Sequence, residues 1–173
     1  MRSAGPRVRK ALVVPNNVYV TASTSGWQQA HLVNAWLHKE PTRFQGRQLG
    51  VLDRWGPHHT DEAFQITAEN NIDLVIIPGG LTGKIQPGDI GWNKPFKDAI
   101  RESWRKWMAK QKPNEKGRIT APTRSHVVKW VSDAWKGISA ETIQKAFKIA
   151  GKKNAKLSRK FGCLEVICPR VQL

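Results

Sequence analysis

Residues 74–108, LVIIPGGLTGKIQPGDIGWNKPFKDAIRESWRKWM, predict the centre of the fold. The stretch begins with four aliphatic residues, 74–77, whose unbroken run predicts a buried strand. A Pro-Gly-Gly turn follows, then a short loop with one acidic residue, Asp89, and then a long basic helix. A lone carboxylate between a core strand and a cationic helix is typical either of a helix cap or of a metal ligand beside a polyanion.

Predicted strands and helices alternate from residue 18 to the basic helix of this stretch. Runs rich in β-branched and aliphatic residues predict three strands, at residues 18–22, 49–53 and 73–77. Apolar residues at helical spacing, with Thr60 as one N-cap, predict helices at residues 27–39, at 61–69 and from Asn93 or Lys94 onward. This alternation favours an α/β domain with parallel neighbouring strands. In such sheets the site lies outside the carboxyl ends of the strands, where we expect Asp53 and Asp89.

Two further helices are predicted after a linker at residues 113–117. The first covers residues 123–136, and the second follows the capping residue Ser139 and ends near Gly151. We expect these two helices to form a small hairpin. The apolar side chains predicted to face the core are Leu32, Ala35 and Trp36 in the first helix of the chain, Phe96, Ala99, Ile100, Trp104 and either Trp107 or Met108 in the basic helix, and Val127, Trp130, Val131, Ala134, Ile143, Ala146, Phe147 and Ala150 in the last two.

The charge of the chain is its strongest bulk property. The 173 residues carry a formal net charge of +16. Residues 1–90 contain nine Lys/Arg and seven Asp/Glu, whereas residues 91–173 contain twenty and six, so the second half alone carries +14. A positive field concentrated in this way favours a polyanion, most often nucleic acid, although it also serves as a solubilising surface.

Other bulk properties limit the class of protein. An apolar content of 39% is enough for the core of one domain of ordinary size. No run of about 18 apolar residues occurs, so no transmembrane helix is predicted and we expect no membrane partner. Cys163 and Cys168 are too few for a zinc site of about four ligands, and we interpret them as reduced thiols of an intracellular protein.

Cationic side chains around Asp89 are the candidate nucleic-acid contacts. Such side chains either follow a phosphate backbone or form an ordinary solvated helix face. They are Lys84, Lys94, Lys97, Arg101 and Arg105. Nearby tryptophans are either base-stacking side chains or, at their helical spacing, core residues; they are Trp92, Trp104 and Trp107.

Asp53 and Asp89 are the candidate catalytic and metal-binding residues. Nucleases with two hard cations need converging acidic oxygens, which help to activate water and to stabilise the leaving oxygen of a phosphodiester. The two aspartates are 36 positions apart, and each taken alone is also explained as a turn or cap residue. His58 and His59 follow Asp53 and are either ligands of a metal or phosphate or hydrogen-bonding residues of the loop.

Several motifs of the chain resemble those of the pogo/Tigger transposase family, which includes jerky and centromere protein B relatives. Residues 51–61, VLDRWGPHHTD, resemble its LVLD-x-x-x-x-H-x-T-D segment. IPGGLT and QPGDI, which begin at Ile77 and Gln86, resemble its IPGG-x-T-x-x-LQPLD motif, and NKPFKD from Asn93 is a motif of the family unchanged. WVSDAW from Trp130 and IQKAFK from Ile143 look like two later motifs, so the resemblance covers residues 18–155.

This resemblance implies an RNase H-like fold and a metal-dependent DDE endonuclease that acts on DNA with Mg²⁺ or Mn²⁺, in the nucleus. By position, Asp53 matches the second catalytic acid and Asp89 the third. The first acid belongs to the opening strand of that fold, and no Asp or Glu occurs in this chain before Glu40. We therefore expect a core without its first strands and first acid, which binds a divalent ion weakly and does not cleave DNA alone. Gly88 replaces the usual Leu of the family, a change that removes no ligand.

The predicted organisation follows from this partial core. It consists of an irregular basic N-terminus (residues 1–17), a partial RNase H-like DDE domain (18–112), a C-terminal helical extension (118–155) and a basic tail (156–173). Without the first strands, the two later strands pair only with each other. We expect an exposed sheet edge, through which the chain can self-associate, or an unusual pairing of residues 18–22 with residues 11–14.

Two other functions remain open on the sequence. The first is a non-catalytic DNA-binding or assembly protein, which the +14 charge of residues 91–173 favours. DNA affinity that falls with salt and does not depend on either aspartate distinguishes it from a nuclease. The second is a truncated gene product without function, for which aggregation of the chain is the expected sign.

Overall fold

A computed structural model of the chain describes residues 12–23, 26–39 and 46–153. These residues form two strands, β1 (Gln48–Asp53) and β2 (Ile72–Ile77), and a 3-10 turn at Gly56–His58. The α-helices are α1 (Ala30–Lys39), α2 (Asp61–Glu69), α3 (Thr82–Ile85), α4 (Pro87–Ile90), α5 (Asn93–Met108), α6 (Arg124–Lys136) and α7 (Ala140–Lys153). In this part of the chain, no helix is both long enough and apolar enough to span a membrane.

The β1 and β2 strands form a parallel pair, as the sequence predicts. Their register places Asp53 beside Ile77, so the two strands end at the same edge of the sheet. Each strand has only the other as a partner within the described residues, which confirms the expected two-stranded sheet. Val51 and Val75 lie at the centre of the pair and remain half-exposed. Helices and a small sheet together make a mixed α/β architecture.

Residues 18–22 form no strand, and the prediction for this segment is wrong. Val18 instead lies buried in a core cluster with Phe96, Val128, Val131 and Ala134. No strand of the described chain lies beside this segment, so its apolar side chains pack against helices. The unusual pairing with residues 11–14 is not formed by residues 12–14, and Ala11 lies outside the described residues.

Polar contacts hold this N-terminal segment on α6. Asn17 donates its amide N–H to the Ser132 carbonyl at 3.2 Å, and Ser132 Oγ donates to Asn17 Oδ1 at 2.7 Å. Ser132 is only 1% exposed, so these two bonds satisfy a hydroxyl that would otherwise be buried without a partner. The segment is therefore tied to α6 by both apolar and polar contacts.

The α2 helix connects the two strands and packs on α1. Thr60 caps it, because its Oγ1 accepts the backbone N–H of Ala63 at 3.1 Å. The buried faces of α1 and α2 meet in a cluster of Val33, Leu37, Ala63 and Ile66. Of the predicted face of α1, Trp36 packs against this cluster, whereas Leu32 and Ala35 are only half-buried. Local spacing predicts the helix correctly, but the position of α2 selects which face is buried.

The long helices α5 and α6 pack against each other around the cluster that contains Val18. Phe96 is the buried residue of α5, and its ring meets that of Trp135 edge to face, with ring centroids 6.0 Å apart. Val128 is buried in α6, whereas the predicted core residues Val127 and Trp130 are half-buried. At the N-terminal end of α6, the buried position is thus Val128, one residue later than the predicted Val127.

The last helix, α7, packs mainly against the short helices α3 and α4, whereas α6 packs on α5. The predicted hairpin is therefore replaced by two helices with different partners. Gly91 permits this contact, because a Cβ at that position would lie 2.4 Å from the Ala146 Cβ. Trp92 stacks on Phe147 beside it, with ring centroids 6.0 Å apart. The helix continues through Gly151, where the sequence predicts its end, and it supports the segment that carries Asp89.

Candidate functional site

Asp53 is the last residue of β1, and its carboxylate is held by the turn that follows. His58 Nδ1 lies 2.7 Å from Asp53 Oδ1, and the backbone N–H of Trp55 donates to the same oxygen at 3.3 Å. A carboxylate can only accept, so the hydrogen of the short bond is on His58 Nδ1. Both contacts use Oδ1, and the Asp53 side chain is 34% exposed. Oδ2 therefore has no hydrogen-bond partner among the described residues.

The ring of His58 is fixed by the 3-10 turn in which it lies. Pro57 occupies the start of this turn, and the His58 backbone N–H donates to the Trp55 carbonyl at 2.9 Å. Trp55 also contacts the imidazole edge to face, with ring centroids 5.2 Å apart. The His58 side chain is only 16% exposed as a result. The structure thus favours the hydrogen-bonding role of His58 over the alternative of a free ligand.

Asp89 lies in α4, shortly before the N-terminus of the basic helix α5. Asn93, the first residue of α5, donates its side-chain N–H to Asp89 Oδ1 at 2.7 Å. Asp89 is exposed, and its other oxygen has no partner in the described part of the chain. Gly88 is buried beside the Asn93 amide, since a Cβ there would lie 3.4 Å from Asn93 Nδ2. Asn93 was not predicted as a contact of Asp89, although it opens the NKPFKD motif four residues later.

The two acids therefore have the same arrangement. In each, Oδ1 accepts a 2.7 Å hydrogen bond from a nitrogen four or five residues later, and Oδ2 is open. No hydrogen bond or ion pair links the two acids to each other within the described residues. Likewise, no group of three or more His, Cys, Asp or Glu side chains in that region could hold a metal ion. Each aspartate thus has one carboxylate oxygen that accepts a hydrogen bond and one that is open.

The predicted nucleic-acid contacts on α5 form one stripe. Lys94, Lys97, Arg101 and Arg105 are spaced by three or four residues, so they lie on the same face of the helix. All four are exposed. The opposite face carries Phe96, Ala99 and Ile100, which pack in the core cluster. We call these four residues the cationic stripe; Lys84 lies outside it, exposed on α3.

Acidic side chains partly neutralise the cationic stripe. Asp98 accepts hydrogen bonds from Lys94 at 3.0 Å and from Arg101 at 2.7 Å. The Lys94 bond, with a contribution from Arg101, holds the pKa of the Asp98 carboxyl below its ordinary value. Glu102 lies 3.6 Å from Arg105. Lys97 has no ion pair or hydrogen bond among the described residues, so it is the cation of the stripe most available to an external anion.

The three tryptophans near the stripe have different environments. Trp92 is 7% exposed and belongs to the core, and Trp107 is half-buried in an aromatic group with His126 and Trp130. Trp104 is 45% exposed and lies beside the cationic stripe. Of the three, only Trp104 presents enough ring surface to stack on a base.

Known proteins are similar in sequence to this chain. The chain matches the sequence profile of the DDE superfamily endonuclease family over residues 1–147. It is 30% identical over 141 residues to a human protein and to a mouse protein that are both named "Pogo transposable element with KRAB domain". That region is 78% of this chain and 23% of each relative, so the chain spans less than a quarter of their length. No solved structure is significantly similar to it. The profile match covers most of the chain and includes both aspartates, and the chain therefore belongs to the DDE superfamily endonuclease family, as a pogo-like domain.

Proposed function

We propose that this chain is a transposase-derived, DNA-binding domain in which Asp53 and Asp89 are two of the metal-binding acids of a DDE endonuclease. The observation that carries this proposal is the junction of α4 and α5. There a carboxylate with one open oxygen is hydrogen-bonded to the first residue of the helix that bears the cationic stripe. A hard-cation ligand and a phosphate-binding surface are thus parts of one structural unit.

The fold that fits this function is a partial RNase H-like core with β1 and β2 as two of its strands. The parallel order of β1 and β2 and the position of Asp53 at a strand end are compatible with it. The same proposal implies that the protein is located in the nucleus, where DNA is found. These finer statements rest on family membership and on the arrangement of the two acids.

The two aspartates fit Mg²⁺ or Mn²⁺ as individual ligands. Carboxylate oxygens are the ligands that these hard cations prefer, and each acid has an oxygen without a partner in the described residues. When bound, such an ion supplies positive charge that stabilises a phosphodiester under attack. In this proposal the two acids bind the ion, and the cationic stripe binds and orients the phosphate backbone. The ion is held weakly, because two carboxylates make an incomplete site.

We also propose that the chain alone does not cleave DNA. Only Asp53 and Asp89 match catalytic acids, and the described residues bring no third acid to either of them. A third carboxylate would have to come from another polypeptide segment or another copy. Supercoiled-plasmid nicking with Mg²⁺ or Mn²⁺ tests this statement. We expect no nicking above background. Nicking that disappears in Asp53→Asn and in Asp89→Asn would establish activity and overturn it.

A non-catalytic DNA-binding or assembly protein is the second candidate, and the cationic stripe favours it. Lys97 and its neighbours lie on α5 and do not need either acid to bind phosphate. Among the described residues β1 and β2 form a sheet of only two strands, and the outer edge of such a sheet offers a surface for self-association. In this case DNA affinity falls with salt and is the same in Asp53→Asn and Asp89→Asn, with no effect of Mn²⁺. Light scattering at several concentrations would show a dimer if the sheet edges pair between copies.

A further inference from the structure

Three aromatic side chains meet where the end of α5 lies beside the start of α6, and a fourth lies one helical turn away. Trp107, in the last turn of α5, contacts the α6 rings of His126 and Trp130, with ring centroids 6.1 and 6.2 Å apart. The His126 ring stacks on Trp130 at an interplanar angle of 24°. Trp104 precedes Trp107 by three residues, so it lies on the adjoining surface of α5. We call these four residues the aromatic platform.

Two rings of the aromatic platform are exposed, and the other two support them. Trp104 is 45% exposed and His126 is exposed as well, whereas Trp107 and Trp130 are half-buried. Because Trp130 covers one face of the His126 ring, the exposed surface of this ring is its opposite face and its edge. A single exposed tryptophan is common on protein surfaces. Here a second exposed ring belongs to the same aromatic group.

The His126 ring is held in place by hydrogen bonds at the start of α6. The Thr123 backbone N–H donates to His126 Nδ1 at 3.3 Å, and Thr123 Oγ1 lies 2.9 Å from the same nitrogen. Thr123 Oγ1 also accepts the His126 backbone N–H, which completes a capping box. Since the ring is oriented before any ligand binds, little side-chain entropy is lost when a flat group stacks on it.

Positive charge surrounds the aromatic platform. Residues 101–124 contain eight Lys/Arg and two Asp/Glu, and all eight cationic side chains are exposed. Lys97 and Arg101 of the cationic stripe precede Trp104 by seven and three residues, so they lie on the same side of α5. Exposed rings in a field of this sign favour a ligand that is both flat and negatively charged. Each nucleotide of a nucleic acid has both properties.

We propose that the aromatic platform binds unpaired bases of single-stranded DNA, with Trp104 and His126 as the stacking rings and the cationic stripe along the phosphates. This inference rests on the proposed DNA binding of the chain and adds the state of the DNA that is bound. In a duplex, neighbouring bases cover each other's faces, and a side chain that inserts between them has to unstack them. An unpaired base has a free face, and stacking on an aromatic ring tolerates any base.

Fluorescence anisotropy of the full chain with a labelled oligothymidine of about 15 nucleotides, and with an abasic strand of the same length, tests the inference. The two strands have the same phosphates, so the difference in affinity measures the contribution of the bases. We expect the wild type to bind oligothymidine roughly tenfold more tightly at equal salt. Trp104→Leu should abolish this difference and His126→Gln should reduce it, and neither should change the affinity for the abasic strand.

The variants are chosen to keep the helices intact. Gln at the third position of a helix completes a capping box with a Thr N-cap, so His126→Gln removes the ring and keeps the cap. Leu is a good helix former with an apolar side chain, which suits position 104 in α5. Trp104→Phe keeps a ring and should retain most of the preference for oligothymidine. Circular dichroism measures the helix content of each variant.

Equal affinity of the wild type for oligothymidine and the abasic strand, with binding to both that falls with salt, overturns this inference and leaves the proposed DNA binding intact. A loss in Trp104→Leu that is the same for both strands also overturns it, because a general structural effect does not distinguish bases from phosphates. If the wild type binds neither strand and no duplex of the same length, the proposed function fails and this inference with it.

Discussion

Asn93 donates a 2.7 Å hydrogen bond to Asp89 across the junction of α4 and α5, so the acid and the start of the basic helix form one unit. The consequence is that changes in α5 affect the acid, and changes around the acid affect the helix that bears the cationic stripe.

Lys97→Ala should weaken binding to duplex DNA and reduce the dependence of log affinity on log salt by about 1. The reason is that Lys97 is exposed and has no ion pair among the described residues, so its charge is available to a phosphate. Fluorescence anisotropy at several salt concentrations measures both quantities. Lys145→Ala is the control, because it makes the same change of net charge on α7, where Lys145 already pairs with Glu141 at 2.7 Å. Equal effects of the two variants would show that α5 has no special role.

Asp98→Asn should strengthen DNA binding, by roughly two- to fivefold at low salt. The substitution removes a negative charge from the cationic stripe and releases Lys94 and Arg101 from their bonds to the carboxylate. Glu141→Gln, which releases Lys145 on α7, is the matched control and should change the affinity little. An Asp98→Asn variant with wild-type or lower affinity would argue against phosphate contacts by the stripe.

The pKa of Asp98 should be below that of an unperturbed aspartate, and Lys94→Ala should raise it toward that ordinary value. The Lys94 hydrogen bond is the main cause of the lowered pKa, and Arg101 contributes as well. Since the folded-state pKa is lower than the unfolded one, the ion pairs add stability at pH values above the unfolded pKa. This contribution is lost as the pH falls through the folded-state pKa. Carboxyl-detected NMR titration of the wild type and the Lys94→Ala variant measures the difference.

Gly91→Ala should destabilise the protein by about 1–3 kcal/mol, because a methyl group there meets the Ala146 Cβ and pushes α7 away from α4. Urea denaturation measures the loss. Gly83→Ala in α3 is the control, since a Cβ at Gly83 meets no atom within 4 Å, and we expect it to be neutral or slightly stabilising. If both variants have wild-type stability, the contact of α7 with the Asp89 segment is looser than described.

Local sequence signals predicted much of the fold and identified the two aspartates of the candidate site. Short-range periodicity and capping depend on neighbouring residues only. They predicted the two strands of the parallel pair, the Thr60 cap and the start of α5 at Asn93. Asp53 and Asp89 are predicted as metal-binding acids from motifs that are contiguous in the chain. The hydrogen bond from Asn93 to Asp89 was not predicted, because it depends on where the Asn93 side chain points, which no spacing rule specifies.

The amino-acid sequence by itself determined the family, the order of β1, β2 and α5, and the positions of the two acids. Only the tertiary structure decided that residues 18–22 pack on α6 as irregular chain, that α7 supports the Asp89 segment, and that Oδ1 of each acid is held while Oδ2 is open. The physical reason is that these features arise from contacts between segments far apart in the chain. A β-branched run without a strand partner gains more from burial in a helical core than from an extended edge.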